Sequence, residues 1–153
     1  MTTLTEAEAD LLIENDKEIT AEIEWRRVNG SEAATVRVKN SSGRHLELRL
    51  RVQPKAPEQL HLVLLDSRQP LRRLDVRDGH TNPDGTRWEH QTHKHRWTDL
   101  HGDGEAYTPS DIPEPDGDVT PDHYREIVEA FCQECNIDHA GLVWTDPDMR
   151  EEI

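Results

Sequence analysis

The alternation that begins near Thr20 constrains this chain more than any other feature. Ala21, Ile23 and Trp25 alternate with Glu22, Glu24 and Arg26. Ala34, Val36 and Val38 alternate with Thr35, Arg37 and Lys39, and Leu46, Leu48, Leu50 and Val52 with Glu47, Arg49 and Arg51. A period of two sends successive side chains to opposite faces, so each run reads as a half-buried strand. Asn29-Gly30 and Asn40-Ser41-Ser42-Gly43 separate the runs with residues that tolerate the positive φ of hairpin turns. Pro54 to Pro57 breaks the third run. Leu60-His61-Leu62-Val63-Leu64-Leu65 is nearly continuous apolar, as expected of a central strand covered on both faces. Leu74 and Val76 resume the alternation. Asn82-Pro83-Asp84-Gly85 marks a turn with Pro second and Gly fourth, and residues 87–97 are extended again. The spacing predicts an antiparallel meander of five to six strands over residues 20–97.

Helical signals flank this block. Thr5-Glu6-Ala7-Glu8 reads as a capping box, with Ala7, Leu11 and Leu12 at helical spacing, which predicts a helix over 5–18. Thr120-Pro121 is an N-cap followed by Pro at the first helical position. Tyr124, Ile127, Val128, Phe131 and Cys135 form the apolar stripe of a second helix over 120–136. Residues 98–119, rich in Gly, Pro and Asp, read as an acidic loop, and 138–153 as a tail. The expected class is α+β: one domain over 1–153, an antiparallel sheet flanked by an N-terminal and a C-terminal helix.

Leu, Ile, Val and Phe make up 31 of 153 residues, close to the level at which chains fail to fold. Their concentration in the alternating runs is enough for one small core. No apolar stretch approaches the ~18 residues of a membrane span. The start of the chain lacks a basic, apolar leader, so a cytoplasmic location is expected. Two cysteines cannot build a disulfide framework. The net charge of -14 argues at first against a nucleic-acid ligand. Residues 25–97, however, carry fifteen bases and eight acids, while 1–24 hold eight acids and one Lys, and 98–153 sixteen acids and two Arg. A phosphate-bearing partner such as RNA or a nucleotide is therefore expected only at the basic middle, and a protein partner at the acidic flanks. The acidic, Lys-poor balance also suits a high-salt, halophilic setting, where carboxylate repulsion is screened.

The chemistry-bearing residues gather late in the basic block. His80, Arg87, Trp88, His90, His93, Lys94, His95, Arg96 and Trp97 fall within eighteen residues. Strand parity puts His93, His95 and Trp97 on one face and His90, Lys94 and Arg96 on the other, so a site using His90 with His93 and His95 needs a bulge. One reading is a metal-independent phosphodiesterase directed at RNA or a nucleotide. His93 and His95 would be its acid/base pair and Arg96 would stabilise charge on phosphorus. His80, Arg87, His90, Lys94, Trp88 and Trp97 would bind substrate. A second reading is a zinc site, His93-x-His95 completed by His90, His101 or Asp103. A third is a His-rich edge strand with no site at all. A non-catalytic interaction module, antitoxin-like or a phage–host conflict protein, is the alternative from a different class.

Cys132-Gln133-Glu134-Cys135 matches a redox spacing but falls at a helix C-terminus, where the dipole opposes a thiolate. A structural role is expected, with a zinc half-site shared with His123 or His139 as the alternative. The Asp/Gly segments at 101–105 and 116–118 lack calcium-loop spacing and read as solvated loop.

Several of these motifs together resemble a family of small prokaryotic proteins of uncharacterised activity. They are the opening Leu4-Thr5-Glu6-Ala7-Glu8-Ala9-Asp10, the H-x-N-P-D-G loop at His80-Thr81-Asn82-Pro83-Asp84-Gly85, the H-x-H pair His93 and His95, and Cys135-Asn136-Ile137 closing a helix. The resemblance covers most of the chain and implies no particular reaction. A looser likeness in layout, a compact antiparallel sheet bearing basic and His residues, is to RelE-like ribonuclease toxins. It would imply a toxin or defence role.

Overall fold

A computed structural model describes residues 3–113, 117 and 119–151. Asp116 and Asp118 of the expected acidic loop lie outside the described residues, as do Met1, Thr2, Glu152 and Ile153. In chain order the elements are α1 (Glu6–Glu14), β1 (Lys17–Glu22), β2 (Arg26–Val28), β3 (Ser31–Asn40), β4 (His45–Gln53), β5 (Ala56–Asp66), β6 (Gln69–Thr81), β7 (Arg87–Thr98), β8 (Gly102–Tyr107), α2 (Pro121–Glu134) and β9 (Ile137–Val143). The strands form one sheet in the order β8-β7-β6-β5-β4-β3-β1-β9, with β2 paired to β3. Every pairing is antiparallel except β1 with β9. No helix among the described residues is long and apolar enough to cross a membrane.

The α+β class matches expectation, but the sheet has nine strands among the described residues instead of five or six. β8 lies in the segment read as acidic loop, and β9 in the segment read as tail. Neither has the alternation that marks β4. β8 is Gly102-Asp103-Gly104-Glu105-Ala106-Tyr107, and only its ladder with β7 makes it a strand. The first run also breaks at Ile23 to Trp25, so that it becomes β1 and β2.

Helix α1 ends at Glu14, four residues earlier than its charge pattern suggests. Its Thr5–Glu8 capping box forms as expected. Lys17 explains the stop: its buried ammonium donates to the carbonyls of Leu12, Ile13 and Asn15, satisfying the last-turn acceptors with a cation. Burial pushes the Lys17 pKa down to about 8.

Directly paired residues share a face of the sheet, so the register sorts the side chains. Ala34, Val36 and Val38 pair with Leu50, Leu48 and Leu46; Leu48 and Leu50 pair with Leu64 and Leu62; and Leu62 pairs with Leu74. All are buried in one hydrophobic cluster with Ala9, Leu12 and Ile13 of α1 and Tyr124, Ile127, Val128, Phe131 and Cys132 of α2. Both helices therefore cover this face. The opposite face carries Thr35, Arg49, Arg51, His61, Val63, Arg73 and Asp75. Strand β5 is thus central, but over Leu60 to Leu64 it is buried on one side only: Leu60, Leu62 and Leu64 face the core, while His61 and Val63 are half-buried on the open side.

Cys132 on α2 and Cys135 at its C-cap are free and buried, and burial raises both thiols to about 12, which suits a packing role. The parallel pair β1–β9 approaches closely at Gly141, where an added Cβ would sit 2.7 Å from the Ile19 carbonyl oxygen. Gly141→Ala is expected to lose roughly 1–3 kcal/mol by this backbone clash, measured as a lower urea midpoint.

Candidate functional site

Two bulges build the site. In the β6–β7 ladder, Asp75 pairs with His93, Asp78 with Gln91 and His80 with Trp88. The first step passes one extra residue on β6 and the second one extra residue on β7. Arg77 (φ 50°) and His90 (φ 47°) take left-handed backbone at these points. Strict alternation would turn His80 and Trp88 to the helix side of the sheet. The first bulge turns His80 to the open side, and the second turns Trp88 with it. The His80 ring stacks on His93 with centroids 5.4 Å apart and meets His95 edge-on at 4.4 Å. Trp88 lies 5.8 Å from His93 and 6.4 Å from His80.

Each of these three imidazoles is held by a carbonyl through one nitrogen. His80 Nε2–H donates to the Gly104 carbonyl and to Asn82 Oδ1, both at 3.0 Å. His93 Nδ1–H donates to the Gln91 carbonyl at 2.8 Å, and His95 Nδ1–H to the Asp103 carbonyl at 2.7 Å. The other nitrogen of each ring is left for the cluster. The three rings can offer ligand atoms within 4.8 Å of one another. Asn82 locks the arrangement: its Oδ1 accepts from the Ala106 amide and its Nδ2 donates to the Ala106 carbonyl, tying β8 to the hairpin turn. Gly85 (φ 92°) lets that turn close, with its amide on the Asn82 carbonyl.

Asp75 lies behind the rings. Its Oδ2 is 3.3 Å from His95 Nε2 and 3.4 Å from His93 Nε2, and its Oδ1 accepts from His61 Nδ1 at 2.6 Å. Arg73 bridges the group: Nε donates to Asp75, Nη2 to His95 Nε2 at 2.8 Å, and Nη1 to Asp103. Burial would raise the Asp75 pKa. The hydrogen bond from His61, the His93 and His95 rings beside it and the Arg73 charge outweigh it and hold the carboxyl far below its usual range. Burial alone would lower His93, but Asp75 and the Gln91 carbonyl hold it above its ordinary value. His80 is pushed below its ordinary value by burial and by His95.

A protein-family model matches residues 4–137 of the chain. The chain belongs to the family of unknown function DUF6978. No curated protein and no solved structure matches it.

In this DUF6978 member the residues singled out from sequence fall into four places. His80, Trp88, His93 and His95 come together on the open face. Lys94 and Arg96 are on the opposite, helix-covered side, since Lys94 pairs with Leu74 and Tyr107. Lys94 is fully buried and bonded to Asp111 and Glu134, and Arg72 and Tyr107 also bind Glu134. Arg87 and His90 are exposed, Arg87 beside Glu89. Trp97 packs over Gly102 against the core. The cation that meets the His pair is Arg73. With Asp75 and His61 it completes the site, and none of the three stands out in sequence from the other alternating polar residues of β5 and β6.

Proposed function

We propose that this protein is a metal-binding domain in which His80, His93 and His95 hold a borderline divalent metal, zinc first, beside the Asp75 carboxylate. The observation that carries this reading is the paired use of each ring: one nitrogen on a carbonyl and the other turned to the cluster. A carbonyl partner fixes tautomer and orientation and raises the basicity of the free nitrogen, as at metal-ligating histidines. A tetrahedron with bonds of about 2.0–2.1 Å has edges of about 3.3 Å. The separations of Asp75 Oδ2 from His93 and His95 agree with that edge. Without metal, Arg73 takes the His95 lone pair. Zinc would displace that one hydrogen bond and leave Arg73 on Asp75 and Asp103.

The metal-independent phosphodiesterase, with His93 and His95 as acid and base, has Arg73 in place of Arg96 as its cation. Access weighs against it, because both rings are 1% exposed. A metal needs only a narrow entry, whereas a scissile phosphate needs contact with the rings.

The test is calorimetric titration of chelator-treated protein with zinc, together with elemental analysis of the untreated protein. One zinc per chain is expected, with affinity that weakens as pH falls through the histidine range, because the ligating nitrogens must shed protons. Absence of zinc binding, or RNA cleavage that persists unchanged in chelator, would overturn this reading in favour of the acid/base one.

A further inference from the structure

Beside the cluster the open face sinks into a groove of about 440 Å³, lined by Arg49, Arg51, His61, Val63, Arg73 and Asp75 among others. The sheet register orders its walls into two rows running across the strands. Arg51, His61, Asp75 and His93 pair successively in one row, and Arg49, Val63, Arg73 and His95 in the next. Adjacent strands are about 4.8 Å apart, so each row carries a cation at one end and a cluster histidine about 14 Å away. Three guanidinium groups, all from the basic middle of the chain, meet on this groove. Arg49 and Arg51 are exposed, and among the described residues Arg49 bonds the half-exposed Glu47. The two acids of the groove are already engaged: Asp75 by Arg73 and His61, and Asp78 by His61 at 3.7 Å.

We infer that this groove binds a small phosphate ester, its phosphate held by Arg49 and Arg51 and its remainder lying over His61 and Val63 toward the histidine cluster. Guanidinium forks match phosphate oxygens in two-point contact, and a phosphate supplies an anion at the outer end, where neither row itself carries an acid and only the half-exposed Glu47 competes for Arg49. His61, fixed by Asp75 through Nδ1, keeps Nε2 on the groove side near Asp78. Among the described residues the groove is lined by no indole or phenol ring for stacking, which favours a single small ester over a run of unpaired bases. The inference rests on the metal-site reading for what the ligand is presented to. The binding itself is tested separately.

The experiment is calorimetric titration of the full chain with AMP at low salt, once with zinc and once with EDTA, and with inorganic phosphate as competitor. Binding is expected in both conditions, tighter with zinc, and displaced by phosphate. Arg49→Gln with Arg51→Gln should weaken it by about tenfold or more, while Arg49→Lys with Arg51→Lys should bind better than the Gln pair. No AMP binding by the unaltered protein, undiminished binding by the Gln pair, no advantage of the Lys pair, or binding of a single-stranded oligoribonucleotide without binding of AMP would each overturn the inference. Zinc binding without AMP binding removes the groove and leaves the metal site. AMP binding without zinc binding does the reverse.

Discussion

His93→Ala is expected to weaken zinc binding by more than a hundredfold, and Arg73→Gln to strengthen it by about tenfold. The first magnitude follows because loss of an outer-shell partner alone costs ~10–100-fold, and His93 would be a ligand itself. The second has the opposite sign because Arg73 donates to His95 Nε2 and places a positive charge on Asp75 Oδ2. Removing it frees a lone pair and a carboxylate edge. Competition titration against a zinc-binding dye measures both. If Arg73→Gln weakens zinc binding, Arg73 supports the cluster instead of competing for it, and the tetrahedral arrangement with Asp75 is wrong. Asn82→Ala should move in the same direction as His93→Ala but less, because it removes one of two acceptors of His80 Nε2–H.

The second large effect is on stability and lies on the other face of the sheet. Lys94→Ala is expected to cost about 3 kcal/mol in urea unfolding while leaving zinc stoichiometry unchanged. The Lys94 side chain is 1% exposed and sits between Asp111 and Glu134, whose side chains are 43% and 22% exposed. Removing the ammonium leaves Glu134 with Arg72 and Tyr107 but takes Asp111 off its partner. That retained support places the loss near the lower end for a broken buried pair. Loss of zinc binding together with stability would mean that β7 transmits damage from one face to the other, and the two faces could not be treated as independent.

Much of the fold was legible because it is local. The alternating apolar positions of β3 and β4 pair in register and carry the core, and the capping box of α1 and the Thr120-Pro121 start of α2 stand where the pattern placed them. β8 and β9 escaped because their ladders, not their side chains, make them strands. Within the site, His93-x-His95 is a period-two pair and needs nothing beyond strand geometry to share a face. The expected need for a bulge was met at His90, but that bulge leaves His90 itself exposed.

What the sequence determined by itself is the half-buried meander, the two helix starts and the shared face of His93 and His95, since each follows from spacing along one segment. What only the tertiary structure decided is the third histidine and the company it keeps. His80 reaches the pair because Arg77 takes positive φ and shifts the register on β6, and the second shift, at His90 on β7, brings Trp88 with it. Arg73, Asp75 and His61 join it through cross-strand pairing. A one-residue shift in register reverses every side chain beyond it, and nothing in the local pattern of apolar and polar residues records where that shift occurs.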